Sequence, residues 1–501
     1  MNSHFPVLNS NLAENATILA VDIGTTGMKM GVFHVLDGAM SLVRQFSQGY
    51  EANIYNDGLF GDIEQDKWKG AFAAGCRAMQ DAISRVDVVS LSGTTPGLTA
   101  MDENGEALYP AILMLDQRSR RQAQCIVETV GIKTLLDTTG NMPVAGGCSL
   151  ASILWIRDNY PDIFRKTRTF GHSNTYIARW LTGEAAIDPS SASLTALYNT
   201  VANDLSWNED IAGAFGIRLD RLPRIIPAYA SVGRVSKALA GQLGFEREPA
   251  VLIGGNDAVL AAYSVGIKDP GDIINVNGTC EITLVCLDRC LPSANYNIRA
   301  AILPDRWLTL HVMNAGGKAL DWFKGLFCSE LSDEEFYERF LPAAIESWLD
   351  SQSGVTYVPY LMGSRYSLAH EIAHCQHVLS SEAFHRTGQE PLKAQLLGLT
   401  HQTSREEILA AIVRGLCEYQ KAHLDEIAKD VPLKNIVHVT GGALNPALIR
   451  AKSKWMRDCQ YVYQEQSSLK GAAMLALTQN TADGRLEPEH AVTKVPKVKS
   501  D

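Results

Sequence analysis

The sequence predicts a mixed α/β protein made of two related halves, and three observations carry that expectation. A chain of 501 residues, 46% hydrophobic and 20% charged, can bury two or three sizeable cores. Two short Gly-Thr turns, Asp22-Ile23-Gly24-Thr25-Thr26-Gly27 and Asn277-Gly278-Thr279-Cys280-Glu281, each join two strand-like runs, one near the start and one past the middle. After each of them the pattern repeats in outline, with further strands and then a helix.

The first turn joins Thr17–Val21 to Met28–Phe33 as a hairpin. A helix is expected around Gln65 to Ile83, followed by a buried strand from Val86 to Ser92. Glu209 to Leu243 carries short helical and turn signals and leads into the apolar strand Ala250–Ile253, which stops at Gly254-Gly255-Asn256-Asp257. A helix should then run from about Ala258 to Val265. The second half opens near Gly266: its hairpin joins Ile273–Val276 to Ile282–Val285, strands continue through Leu310, and a helix starts near Gly316-Gly317. Later come an amphipathic helix from about Ser404 to Ala428, the strand Asn435–Val439, the turn Thr440-Gly441-Gly442-Ala443 and a last helix from about Ser468 to Gln479. The expected division is 16–265, 266–480 and a flexible, proline- and charge-mixed tail over 481–501.

A formal charge of −10 argues against a general nucleic-acid or membrane-surface binder, while a local phosphate site stays compatible with it. Met1 to Asn15 is polar and lacks the basic-then-apolar order of a secretory signal, and no run reaches membrane-spanning length. Ten cysteines without a CxxC pair fit a reducing cytoplasm, and most should be buried thiols.

Both Gly-Thr turns lie between two strands, whereas a P-loop or dinucleotide fingerprint runs from a strand into a helix; neither of those motifs is present. Glycine lets backbone approach closely, and the turn N–H groups with the Thr25, Thr26 and Thr279 hydroxyls can form a concave donor set for phosphate oxygens. The alternative is two ordinary tight turns. A competing motif is His370-Glu371-Ile372-Ala373-His374, with zincin spacing and Cys375 and His377 close by. It reads either as a zinc site, with zinc hydrolase activity as its functional version, or as a polar surface insertion.

Seven pieces in one order resemble the FGGY carbohydrate kinases. They are Asp22-Ile23-Gly24-Thr25-Thr26, Asp116-Gln117-Arg118, Gly254-Gly255-Asn256-Asp257-Ala258, Asn277-Gly278-Thr279, Gly316-Gly317-Lys318-Ala319-Leu320-Asp321-Trp322, Val358-Pro359-Tyr360-Leu361 and Gly441-Gly442-Ala443-Leu444-Asn445. The resemblance runs from about Ile18 to Leu477. It implies two ribonuclease H-like, actin-like ATPase domains with the active site in the cleft between them, and transfer of the ATP γ-phosphoryl group to a sugar or polyol hydroxyl. Phosphoryl transfer needs chiefly positioning, charge neutralisation and a base, which a few carboxylates and phosphate-cradling turns can supply.

By that resemblance Asp257 is the catalytic base, beside the acceptor, and Asp22 holds Mg²⁺. The plainer readings are a helix N-cap for Asp257 and a hairpin-entry residue for Asp22. Gly24, Thr25, Thr26, Gly278 and Thr279 would cradle the ATP phosphates; Gly441, Gly442 and Asn445 match the adenosine-side turn, and Gly317 flanks the nucleotide. Asp116 and Arg118 match a segment beside the sugar, with a surface ion pair as the alternative.

Several positions depart from the pattern. Thr94-Thr95-Pro96-Gly97 stands where xylulokinases carry Gln-Met-His-Gly, which makes Thr95 a substrate-side candidate and leaves the acceptor open, and the Arg-Glu pair of glycerol kinases is absent too. Met114 replaces a Trp, Ser152 a Lys, Gly363-Ser364-Arg365 a Gly-Glu-Arg run, and Arg414 a Glu. These changes point to a divergent member with an unusual acceptor, since a hydroxyl-binding site depends on each polar group finding its partner. The layout is nearest to xylulokinase, so a ketopentose such as xylulose is the first expectation, with an actin-like ATP-binding regulatory protein as the alternative. A homodimer is left open.

Overall fold

Ile18, Leu19, Ala20 and Val21 are all fully buried, so successive side chains on both faces of this strand are covered, which is the signature of a central strand packed on two sides. The computed structural model describes residues 15–56, 58–363, 393–441, 445–464, 467–480 and 486–487. The first sheet contains β1 (Asn15–Ile23), β2 (Gly27–Leu36), β3 (Ala39–Gly49), β4 (Val88–Gly93), β5 (Ser231–Arg234) and β6 (Ala250–Asn256), in the order β5-β6-β4-β1-β2-β3. β1, β2 and β3 form an antiparallel meander, whereas β4 runs parallel to β1 and β6 parallel to β4.

The second sheet contains β7 (Ile273–Asn277), β8 (Glu281–Leu287), β9 (Asn297–Ala300), β10 (Trp307–Met313), β11 (Ile436–Thr440) and β12 (Gln460–Gln464), in the order β9-β10-β8-β7-β11-β12. Again three antiparallel strands, β7, β8 and β10, continue into two parallel ones, β11 and β12. The repeat expected from the two hairpins is therefore a repeat of topology, and each half follows the ribonuclease H-like plan. The first half carries an insertion with its own five-stranded sheet, built from Asn53–Tyr55, Phe60–Ile63, Ala107–Leu113, Gly97–Met101 and Thr169–Gly171, over a core that includes Leu98, Ile126 and Ile153.

Five helices matter for the site: α1 (Asp257–Ser264), α2 (Gly317–Phe327), α3 (Arg405–Ile427), α4 (Pro446–Trp455) and α5 (Ser467–Leu475). α1 and α5 pack against each other, and one hydrophobic cluster joins Ala20 and Leu252 of the first sheet to Leu284 and Leu310 of the second through Leu260 and Leu469. A Cβ on Gly471 would overlap the Leu260 carbonyl oxygen, so α5 touches the α1 backbone itself. Tyr263 and Thr478 close this seam with a 2.7 Å hydroxyl contact.

Differences from expectation are local. The helix expected over Gln65–Ile83 is two, Asp66–Ala78 and Gln80–Ile83, because Met79 leaves helical geometry at φ −115°, ψ 24°. The last helix ends at Leu475, since the N–H groups of Ala476, Leu477 and Thr478 each bond three residues back and tighten the final turn. Leu486–Glu487 pairs antiparallel with Gln479–Asn480. His370, Glu371, His374, Cys375 and His377 lie outside the described residues, as does Gly442. Among the described residues no helix is long and apolar enough to cross a membrane, and five of nine free cysteines are buried.

Candidate active site

Register places two carboxylates at one edge of the first sheet. Asp22, near the end of β1, lies opposite Ser92 of β4, and Gly255 of β6 lies opposite the same Ser92. Asp22 and the Asn256–Asp257 pair thus stand at the carboxyl ends of two parallel strands with one strand between them, the position where open α/β sheets bind ligands. The Asp22 carboxylate accepts from the Ser92 hydroxyl at 2.6 Å and from Ser468 of α5 at 3.0 Å. One oxygen is thus tied to the first sheet and the other to the closing helix.

Asp257 is half-buried. Its Oδ2 accepts from the Thr94 hydroxyl at 3.0 Å, and its Oδ1 from the Asn256 amide and the Ala258 N–H, both at 2.8 Å. The cap of α1 is Asn256, whose Oδ1 accepts from the Ala258 and Val259 N–H groups. The N-cap reading of Asp257 is therefore corrected by one residue. Burial, and then the nearby Asp22 charge, push the Asp257 carboxyl up to about 6, against the opposing pull of the Ala258 N–H, the Thr94 hydroxyl and Arg299. Such a group is mostly ionised at neutrality yet holds a proton more readily than an ordinary carboxylate, as a proton acceptor for a hydroxyl should.

The loop before it splits its two threonines. Thr94 faces Asp257, whereas Thr95 is fully buried, with its hydroxyl accepting from Asn256 Nδ2 at 3.2 Å and from Arg299 at 3.0 Å. Thr95, the substrate-side candidate, is thus linked to Asp257 through Asn256, and the hydroxyl in direct contact with Asp257 is that of Thr94.

Both Gly-Thr turns are tight. Gly24 N–H donates to Gly27 O at 2.9 Å and Tyr50 OH to Gly24 O at 2.6 Å, leaving Thr25 half-buried and Thr26 exposed at the tip. In the second turn Gly278 N–H donates to Cys280 O, and Gly317, the first residue of α2, donates to Gly278 O at 2.9 Å; Thr279 is exposed. Gly441 has φ +104°, and a Cβ there would overlap Asn277 O, so only glycine lets β11 end against this turn. Asn445 caps α4 through Leu448 N–H and donates its amide to Tyr337 O. Gly278, Gly317 and Gly441 thus converge on one place, and a cavity there is floored by a buried ion pair, Lys452 Nζ to Glu281 Oε1 at 2.6 Å.

Asp116 and Arg118 form an ion pair, but a buried one. Arg118 donates to Asp116 Oδ2 at 2.7 Å, to Asp62 Oδ2 at 2.9 Å and to Tyr109 OH at 3.0 Å, and its guanidinium lies over the rings of Phe60 and Trp155. Asp116 also accepts from Gly61 N–H. The surface-pair reading is thereby excluded. Gly97 pairs with Leu113, whose carbonyl accepts from Asp116 N–H, so this network sits one turn from the Thr94–Gly97 loop.

Sequence reasoning missed Thr94, Asn256, Arg299, Tyr50 and the Glu281–Lys452 pair as parts of the site. Asn256 carried a readable signal, since Asn is a favoured cap ahead of a helix. Arg299 carried none, for its partner Thr95 is 204 residues away.

Two ribonuclease H-like sheets, with carboxylates at the strand ends of one and a glycine-lined cavity on the other, define the actin-like ATPase class of two-domain α/β protein. The model of the FGGY carbohydrate kinase N-terminal domain matches residues 17–264 and that of the C-terminal domain residues 274–479. The chain belongs to the FGGY family of carbohydrate kinases and is a sugar kinase. It is 25% identical to a xylulose kinase of Lactococcus lactis over 92% of this chain and 87% of that protein. It is likewise 25% identical to a gluconokinase of Bacillus subtilis, over 95% and 89%. Among solved structures, gluconate kinase from Lactobacillus acidophilus superimposes with a TM-score of 0.79 at 19% identity, covering 92% of this chain and 89% of that one, which speaks for the fold.

Proposed function

We propose that this kinase transfers the γ-phosphoryl group of ATP, with Mg²⁺, to a hydroxyl of a small sugar or polyol, a ketopentose such as xylulose being the favoured acceptor. The observation that carries the reading is Asp257, a strand-end carboxylate raised to about 6 with one oxygen held only by Thr94 among the described residues. ATP with Mg²⁺ supplies the transferable phosphoryl group and neutralises the charge that develops on it. Asp257 accepts the proton of the acceptor hydroxyl as that oxygen closes on the γ-phosphorus, a contribution of about 10²–10⁴-fold.

Asp22 fits a hydrated magnesium site. Its two oxygens each spend one lone pair on a serine hydroxyl and keep others for metal-bound water. Among the described residues no group of three or more metal-binding side chains surrounds it, which suits an ion that retains its waters. The backbone turns at Gly24–Thr26 and Gly278–Thr279 hold phosphate oxygens, and Gly317, Gly441 and Asn445 border the nucleoside. Gly442 belongs to this turn in the resemblance. Thr94 and Thr95, with the Asp116–Arg118 network beside their loop, shape the acceptor side.

The favoured acceptor follows relatives named xylulose kinase, while relatives named gluconokinase and autoinducer-2 kinase mark the range to be tried. The test is acceptor-dependent ADP production across pentuloses, hexuloses, aldonates and polyols, run beside Asp257→Ala. Turnover with one acceptor, lost in the variant, is expected. ATP binding with no turnover on any acceptor would overturn the reading.

A further inference from the structure

Arg299 is an arginine of the second half, 1% exposed, whose guanidinium is spent on the first half. Its Nη1 donates to the Thr95 hydroxyl at 3.0 Å and to the Ser190 carbonyl at 3.1 Å, and its Nη2 to the Thr95 carbonyl at 3.1 Å. Both targets lead to the base. The Thr95 hydroxyl accepts from Asn256 Nδ2, which also donates to Asp257 Oδ1, and Thr94, next to Thr95, donates to Asp257 Oδ2. The Ser190 hydroxyl accepts from the Asn256 N–H at 3.0 Å.

The strand that bears Arg299 is itself pinned across the seam. β9 is the edge strand of the second sheet, and first-half side chains complete its ladder: Ile298 N–H donates to Asn141 Oδ1 at 2.7 Å, Asn141 Nδ2 returns to Ile298 O at 2.9 Å, and Ala300 N–H donates to Ser193 Oγ at 3.0 Å. An edge strand closed in this way cannot slide without breaking bonds on both sides of Arg299. A buried cation engaged at three points by its planar fork is a fixed reference for whatever it holds.

We propose that Arg299 is a positioning residue for Asp257: from the second half it locks Thr95 and Ser190, through them Asn256, and so holds the base in its reactive orientation only while the seam between the halves is made. The proposal rests on Asp257 being the base. Displacing a reacting group by about 1 Å costs about 10²-fold in rate, which sets the size of the expected effect.

The test uses the full chain and the best acceptor from the ADP assay. Arg299→Met, which keeps volume and removes the fork, is expected to lower kcat about 100-fold with KM for ATP unchanged within threefold, and guanidinium ion in the buffer should restore part of the rate to Arg299→Ala. Thr95→Val alone should also lower kcat, and should cost little more once Arg299→Met is present, because residues acting through one connection are non-additive. If Arg299→Met does not fold, Arg299→Lys serves, since it keeps the charge and reaches fewer acceptors; it should lose about tenfold in kcat. A folded Arg299→Met or Arg299→Lys enzyme with wild-type kcat, or losses with Thr95→Val that simply add, would overturn the positioning role while leaving the kinase reading intact. A wild-type chain without acceptor-dependent turnover would instead remove the kinase reading and this inference with it.

Discussion

Asn256 caps the helix that Asp257 begins, and the same side chain holds Asp257 Oδ1 with its amide at 2.8 Å. One residue thus performs the structural task that would otherwise consume the carboxylate, and orients it as well. Asn256→Ala is expected to destabilise the chain by about 1 kcal/mol, the usual worth of an N-cap, and to lower kcat in addition. Thermal melting and steady-state kinetics on the same preparation separate the two effects.

The raised Asp257 carboxyl fixes a pH dependence. In the proposed reaction its ionised form acts as the base, so kcat/KM should climb about tenfold per pH unit below about 6 and level off above it. For stability the sign is opposite. The folded chain holds this proton over the interval between the ordinary 3.8 and about 6, so the carboxyl favours the folded state at low pH and loses that contribution as pH rises through the interval. Asp257→Asn should therefore raise the melting temperature at pH 7, and the gain should vanish below about pH 4. A pH series of melting curves checks this.

The Glu281–Lys452 pair is almost completely buried beneath Gly278 and Gly317. Lys452→Met leaves the Glu281 charge without its partner, at a cost of about 3–5 kcal/mol. Adding Glu281→Gln should recover much of it. Because the pair lines the cavity beside Gly278 and Gly317, the proposed nucleotide side, the single variant should also weaken ATP binding, as titration calorimetry would show.

Much of this was legible from local sequence, for physical reasons that differ by element. A Gly-Thr turn between two strand runs is a short-range signal, and both hairpins formed where they were read. Asp257 was placed at a strand end because four apolar residues followed by two glycines can hardly be read otherwise. The topological repeat needed strand order, which the sequence carries only in outline. Thr94 and Thr95 could not be told apart, since which of two neighbours faces a cleft depends on the path of the loop. Arg299 was invisible because its meaning lies in residues of the other half, and a surface pair stayed open as the alternative for Asp116 and Arg118 because nothing nearby in sequence shows Asp62 and Tyr109 closing over them.

Gly441 tests the nucleotide side. Its φ of +104° and the overlap of a Cβ with Asn277 O leave no room for alanine. Gly441→Ala should weaken ATP binding about fivefold or more, since backbone strain of this kind costs about 1–3 kcal/mol, while acceptor affinity stays unchanged. Direct binding of each ligand by calorimetry measures both.

The most direct test is single-turnover phosphoryl transfer from labelled ATP to the best acceptor, comparing wild type with Asp257→Asn. The expected result is a labelled phosphate ester of the acceptor, formed about 10²–10⁴-fold more slowly by the variant, in line with loss of a general base, while ATP binding is unchanged. Transfer by Asp257→Asn within tenfold of wild type, or label released only as inorganic phosphate by wild type, would contradict it.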